Sequence, residues 1–283
     1  GLSLVALLII FTLIIFEKFS RRKSKRWSEN PASKDSQGWE LKKTRALLAI
    51  TISLFPPIFS FGIPCFWVLL NIDQIQKGLS IELLTLSFRT IGLGFFTAFI
   101  TMLFSLIISL SRRPNKSLFL GIITNLAGIG YAIPGTVLAL SLISISSSRF
   151  NFIAICLLIW GYLVRFLTIS KGSIDSSLER ISPSIDEAAL GLGESWLGII
   201  KRIHLPLLQG PIFVGSLLVF VDTIKELPIT FILRPFDFDT LSVRIYQYAG
   251  DERMVEAISP AILIMVLGLI ASLTLIPSLE KKN

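Results

Sequence analysis

Asp222, Lys225 and Glu226 stand inside an otherwise uncharged run, residues 209–233, of a 283-residue chain. At spacings of three and four they share one arc of a helix. Each would cost at least about 2.5–3.5 kcal/mol at the centre of a bilayer, so together they must face protein or water. Lys225 offsets only one of the two acids, and the remaining negative charge suits a path for a cation. A second role fits the same residues: an Asp–Lys pair that holds helices together, with Glu226 near an interface. Pro228 follows and interrupts the backbone hydrogen bonding, which a membrane tolerates only where the chain is buried in protein or lines a cavity. Pro134 and Gly135 interrupt the run 118–146 in the same way, either as a plain kink or as lining of the same path. These six residues are the candidate pathway residues.

Other chemistries lack their residues. No G-x-x-x-x-G-K-[ST] phosphate loop is present, so the chain is expected to bind no cofactor, and any Mg-ATP would sit on a partner subunit. Neither G-x-S-x-G nor H-E-x-x-H occurs. The lone histidine, His204, excludes a His-pair metal site and is expected at the surface, so the sequence assigns no metal ligand. Cys65 and Cys156 lie in separate apolar runs and read as small packing residues. The chain is not expected to be an enzyme.

The elements that must position the charges are apolar helices. Of the residues 52% are hydrophobic and only 16% charged, against about 25% charged in a soluble domain, and mean hydropathy is +0.73. A helix needs about 20 apolar residues to cross a bilayer. Runs of that kind cover 46–70, 83–110, 118–146, 150–169, 209–233 and 256–278. A shorter run, 1–16, reads as a partial transmembrane helix, the end of a preceding unit, and the polar stretch 17–45 as a cytoplasmic linker. The predicted architecture is therefore an all-α, multi-pass membrane protein with a six-helix domain over 46–283.

The formal charge of +8 could suggest nucleic acid, but its distribution follows the membrane. If 17–45 is cytoplasmic and the chain crosses at each run, the inner loops hold nineteen Lys and Arg and the outer loops five. That asymmetry sets the orientation; the bilayer, not nucleic acid, is the expected partner. Arg165 is placed near the cytoplasmic end of its run, where it can snorkel, and Arg89 near the outer end of its own.

One connection, 170–208, is much longer than the rest. Within it Ser184 can cap a helix whose first turn holds Asp186 and Glu187. Ala188, Ala189 and Leu190 propagate that helix, and Gly191 and Gly193 end it. A second helical piece, 194–203, precedes Pro206 at the entry to the next span.

From Glu187 the sequence reads E-A-A, three residues, Gly193, nine residues, Ile203, one residue, Leu205 and Pro206. At every specified position this resembles the cytoplasmic EAA signature of binding-protein-dependent ABC importer permeases. The resemblance implies a type I permease fold and makes the Glu187 helix the coupling helix seated on an ATPase subunit. Glu187, Ala188, Ala189, Gly193, Ile203, Leu205 and Pro206 are thus the candidate ATPase-coupling residues. The stretches Tyr131–Thr136, Val164–Phe166, Arg180–Ala189, Asp222–Pro228 and Leu233–Leu241 resemble, in content and order, the ferric-iron permeases. Permeases for thiamine, phosphonate, sulfate or molybdate share the EAA pattern, so iron rests on those stretches. The implied partners are ABC ATPase subunits, an extracytoplasmic solute-binding protein and a second permease unit, fused upstream or separate. The implied location is a bacterial inner membrane. A secondary transporter would also carry midplane charges and broken helices but has no need of the EAA loop.

Overall fold

The computed structural model describes residues 41–72, 80–114, 117–145 and 151–280, together with Val5, Leu8, Thr12 and Phe16. The expected partial helix 1–16 and linker 17–45 lie almost wholly outside the described residues; the four isolated positions are helical. The chain divides into two compact units, 1–76 and 77–283. The first holds α1, Thr44–Leu70. Its π turn, Ile58–Gly62, follows Pro56 and Pro57, where the missing proline N–H groups favour a locally widened turn.

The second unit opens with α2, Ile81–Ser111, a 31-residue helix about 46 Å long at 1.5 Å per residue. Ser80 caps it by accepting from the Leu83 N–H at 3.2 Å. Thr90, Gly94, Thr97, Ala98, Thr101 and Ser105 form a buried stripe of small residues along it, the composition that lets helices approach closely without a hydrophobic drive between them. Against that stripe pack α5, Asn151–Leu178, and α7, Trp196–Ile224. Leu158, Tyr162, Phe166, Val219 and Phe220 fill the space between them. Phe88, Phe95, Phe99 and Ile107 of α2 point outward and are exposed, as lipid-facing residues are.

Between α2 and α5, the helices α3, Leu118–Ala127, and α4, Gly135–Ile145, flank a 3-10 turn at Gly130–Ala132. The α3 segment and α4 meet at 112°. A short α6, Pro183–Gly191, precedes α7, and α8, Pro228–Leu233, α9, Leu241–Gly250, and α10, Ile258–Glu280, follow it. No strand occurs among the described residues. Among the described residues five helices are long and apolar enough to cross a membrane, or six with the bent pair taken as one span. The protein is an all-α membrane protein, as its sequence predicts.

Three expected boundaries shift. The helix expected to end at 169 runs on to Leu178 because its polar tail is satisfied internally: Lys171 pairs with Asp175 one turn on, and Ser173 donates to the Pro211 carbonyl at 2.8 Å. The next span starts at Trp196, not 209. Ser195 caps it, and a π turn, Ile200–His204, carries the helix through Pro206, so that proline lies inside a continuous helix and not at its entry. The long connection 170–208 thereby contracts to 179–195. The run 209–233 splits after Ile224. Pro228 has no N–H to offer the Ile224 carbonyl four residues earlier, and the Ser242 hydroxyl donates to that carbonyl instead, at 2.7 Å.

The ends of the bundle differ. At one, Arg244 pairs with Glu82, and Arg89 donates to the Asp237 carbonyl at 2.6 Å. The other gathers the end of α2, the end of α5 and α6 through Arg113, and the start of α7 through the contact of His204 with Asp186.

Candidate functional site

The EAA-spaced segment folds as α6. Ser182, not Ser184, is its N-cap, accepting from the Ser184 N–H at 3.3 Å. Pro183 follows at the first helical position, where a missing N–H is harmless. The helix closes in a Schellman turn: the Glu194 N–H donates to Ala189 O at 3.0 Å and the Gly193 N–H to Leu190 O at 2.9 Å. That turn needs a left-handed residue, and Gly193 supplies it with φ +86°. Glu187 and Ala188 are exposed, Ala189 is half-buried and Leu190 exposed, so α6 presents a free face of small residues around one carboxylate. Beyond the turn Ile203 and Leu205 are half-buried and Pro206 is exposed. Leu205 lines an apolar cleft of about 310 Å³ with Leu106, Leu110, Trp196 and Ile200.

Asp186 is the one buried residue of α6. Its carboxylate pairs with Arg113, which also donates to the carbonyls of Leu178 at 2.9 Å, Ile181 at 2.8 Å and Ser182 at 3.2 Å. His204 Nε2 lies 3.0 Å from the other Asp186 oxygen. The expectation of a surface histidine is corrected here, since His204 is fully buried. The π turn rotates it inward beneath Trp196, ring centroids 5.8 Å apart. Sequence reading missed Arg113 and weighed Asp186 only as a helix-dipole acid. Their one visible sign was an acid and a base beside two span ends.

A second polar cluster forms at the helix breaks. Asp222 and Lys225 pair at 2.7 Å, but α7 stops between them and Lys225 turns outward, its side chain 59% exposed. Glu226 is buried and faces Arg165, Nε to Oε2 3.7 Å. It also accepts from the Ile229 N–H at 3.3 Å, capping α8. The single arc expected for Asp222, Lys225 and Glu226 is therefore split, because helical geometry ends before Lys225. Arg165 is likewise not at a span end: with α5 running to Leu178 it lies thirteen residues, about 20 Å, from that end. It reaches the break in the bent pair, donating to the Ile133 carbonyl at 3.2 Å and lying 5.5 Å from the Tyr131 ring centre.

Arg165 and Lys225 balance Glu226 and Asp222, so the surplus of negative charge expected from the sequence disappears. Pro134 and Gly135 sit against this cluster. A Cβ at Gly135 would come within 2.8 Å of Arg165 Nη1 and 3.1 Å of Glu226 Oε1. Gly130 is tighter still, for a Cβ there would overlap the Val164 carbonyl oxygen. The structure thus brings Pro134, Gly135, Asp222, Glu226 and Pro228 to one place, while the Lys225 side chain turns away into the open. No group of three metal-ligating side chains occurs among the described residues.

No family model matches the chain. The Fe(3+)-transport system permease protein FbpB 2 of Haemophilus influenzae is 28% identical over 229 residues, covering 77% of this chain and 44% of that protein. The chain therefore spans less than half the length of this relative. Among solved structures, a chain of a bacterial ABC transporter involved in importing the acidic polysaccharide alginate superposes with a TM-score of 0.60 at 16% identity, covering 84% of this chain and 95% of that one. The alginate transporter in complex with its pentasaccharide-bound periplasmic protein gives 0.57 at 15% identity over 82% and 92%. The resemblance read from the EAA loop and its five companion stretches is borne out, and the chain has the fold of the ABC importer permeases.

Proposed function

We propose that this chain is the membrane-spanning permease of a binding-protein-dependent ABC importer in a bacterial inner membrane, carrying ferric iron. The observation that carries the reading is α6: the EAA-spaced residues form an exposed helix at one end of an apolar bundle. Gly193 turns the chain straight from it into α7, which ends at the break before Pro228. Glu187, Ala188 and Ala189 meet an ATPase subunit that binds Mg-ATP, while Gly193, Ile203, Leu205 and Pro206 set the turn and the helix behind it. A solute-binding protein delivers the substrate on the far side, and a second permease unit, fused or separate, completes the pore. The sequence likeness to a ferric permease supports iron; thiamine, phosphonate, sulfate and molybdate are the competing solutes.

Asp222, Lys225, Glu226, Pro228, Pro134 and Gly135 line or gate the pathway in this reading. A structural role has its own support in the charge-balanced Arg165–Glu226 contact. The test of the function is co-purification with an ATPase, then uptake of radioactive ferric iron against the other solutes. Glu187→Lys or Gly193→Pro should abolish ATPase association and uptake while the protein still inserts. Normal uptake in both variants would overturn the coupling role.

A further inference from the structure

Any push that α6 receives must pass into the membrane-spanning helices through some contact. Asp186 is the helix's one buried residue, while Ile185, Glu187, Ala188 and Leu190 are exposed. The Asp186 carboxylate therefore carries the main buried polar connection besides the covalent chain at either end. That carboxylate is held by Arg113, two residues beyond the end of α2. The same guanidinium grips the last carbonyl of α5, Leu178, at 2.9 Å, and the Ile181 and Ser182 carbonyls that lead into α6, at 2.8 and 3.2 Å. The second oxygen of Asp186 meets His204 of α7 at 3.0 Å. One guanidinium and one carboxylate thus join α6 to the three helices that make the core.

The geometry points to Arg113 and Asp186, seconded by His204, as positioning residues that convert displacement of α6 into movement of α2, α5 and α7. This deepens the proposed coupling role of α6 and rests on it. The planar fork of arginine suits the task, because its rigid donors address a carboxylate and several carbonyls together. A lysine would keep the charge but could not hold that many partners at fixed angles. Four partners on one rigid group also tie the end of α5 to the start of α6. The interaction is buried, so water screens it little.

The test uses the assembled transporter in proteoliposomes with its ATPase subunits, with Cys65 and Cys156 replaced by alanine. Thr136→Cys, exposed at the start of α4, reports movement of the bundle through its maleimide-labelling rate with and without ATP and vanadate. In Arg113→Met/Asp186→Leu no charge is left stranded, so ATPase association and basal hydrolysis should persist. The ATP-dependent change in labelling should fall at least tenfold. Arg113→Lys, which keeps the charge but gives up carbonyl partners, should fold with a lowered melting temperature and reduce the labelling change severalfold; it also serves should the double variant fail to fold. An ATP-driven labelling change of wild-type size in either folded variant would overturn the inference and leave the coupling role of α6 standing. Failure of the unaltered chain to retain an ATPase would overturn both.

Discussion

Glu226 and Asp222 are both membrane-embedded acids with basic partners, yet their surroundings differ. Glu226 faces Arg165 with side-chain exposures of 9% and 18%, so Glu226→Gln leaves a guanidinium in a poorly solvated site. Losing one partner of a buried pair costs about 3–5 kcal/mol, which should appear as a lower melting temperature in detergent. Adding Arg165→Met removes the stranded charge and should restore stability. Asp222 pairs with the half-open Lys225, and a pair of that kind contributes about 0–1 kcal/mol. Asp222→Asn should therefore leave abundance unchanged. Loss of uptake at normal abundance would place Asp222 on the pathway; normal uptake would leave it a structural partner of Lys225.

At the scale of elements, the bends are made by missing donors and missing side chains. Ser242→Ala withdraws the hydroxyl that takes the place of the Pro228 N–H at Ile224 O. An unsatisfied buried carbonyl costs about 1–3 kcal/mol, and a drop in melting temperature without loss of insertion should report it. Two glycines separate conformational from steric need. Gly193 has open space around it and a φ of +86°, so Gly193→Ala should cost about 1 kcal/mol through backbone strain alone. Gly130→Ala meets the Val164 carbonyl, which is backbone and cannot swing aside. Size-exclusion profiles should show Gly193→Ala as folded and Gly130→Ala as depleted or aggregated.

At the scale of the molecule, the two ends of the bundle must face different compartments. The basic asymmetry of the loops predicts that the α6 end faces the cytoplasm. Leu192 is 89% and Phe236 90% exposed, and they lie on segments tied to opposite ends. In intact cells a membrane-impermeant maleimide should label Phe236→Cys and spare Leu192→Cys. The reverse pattern would invert the topology.

Hydrophobic run lengths, basic loop residues and the EAA spacing are local properties, and they determined the class and the segment that becomes α6. The breaks at Pro134 and Pro228 were legible for the same reason, because a proline removes its donor whatever surrounds it. What the charged residues do inside the bundle was not legible. Arg165 meets Glu226 and Arg113 meets Asp186 across 61 and 73 positions of chain, and such partners exist only once α2, α5 and α7 have packed. The polar tail of α5 shows the same limit. A Lys–Asp pair one turn apart and a serine bonded to a neighbouring helix let the helix continue where composition predicts an end. Burial of His204 depends on a π turn that shifts the helix face by one residue. Such a shift leaves no periodic signal in the sequence.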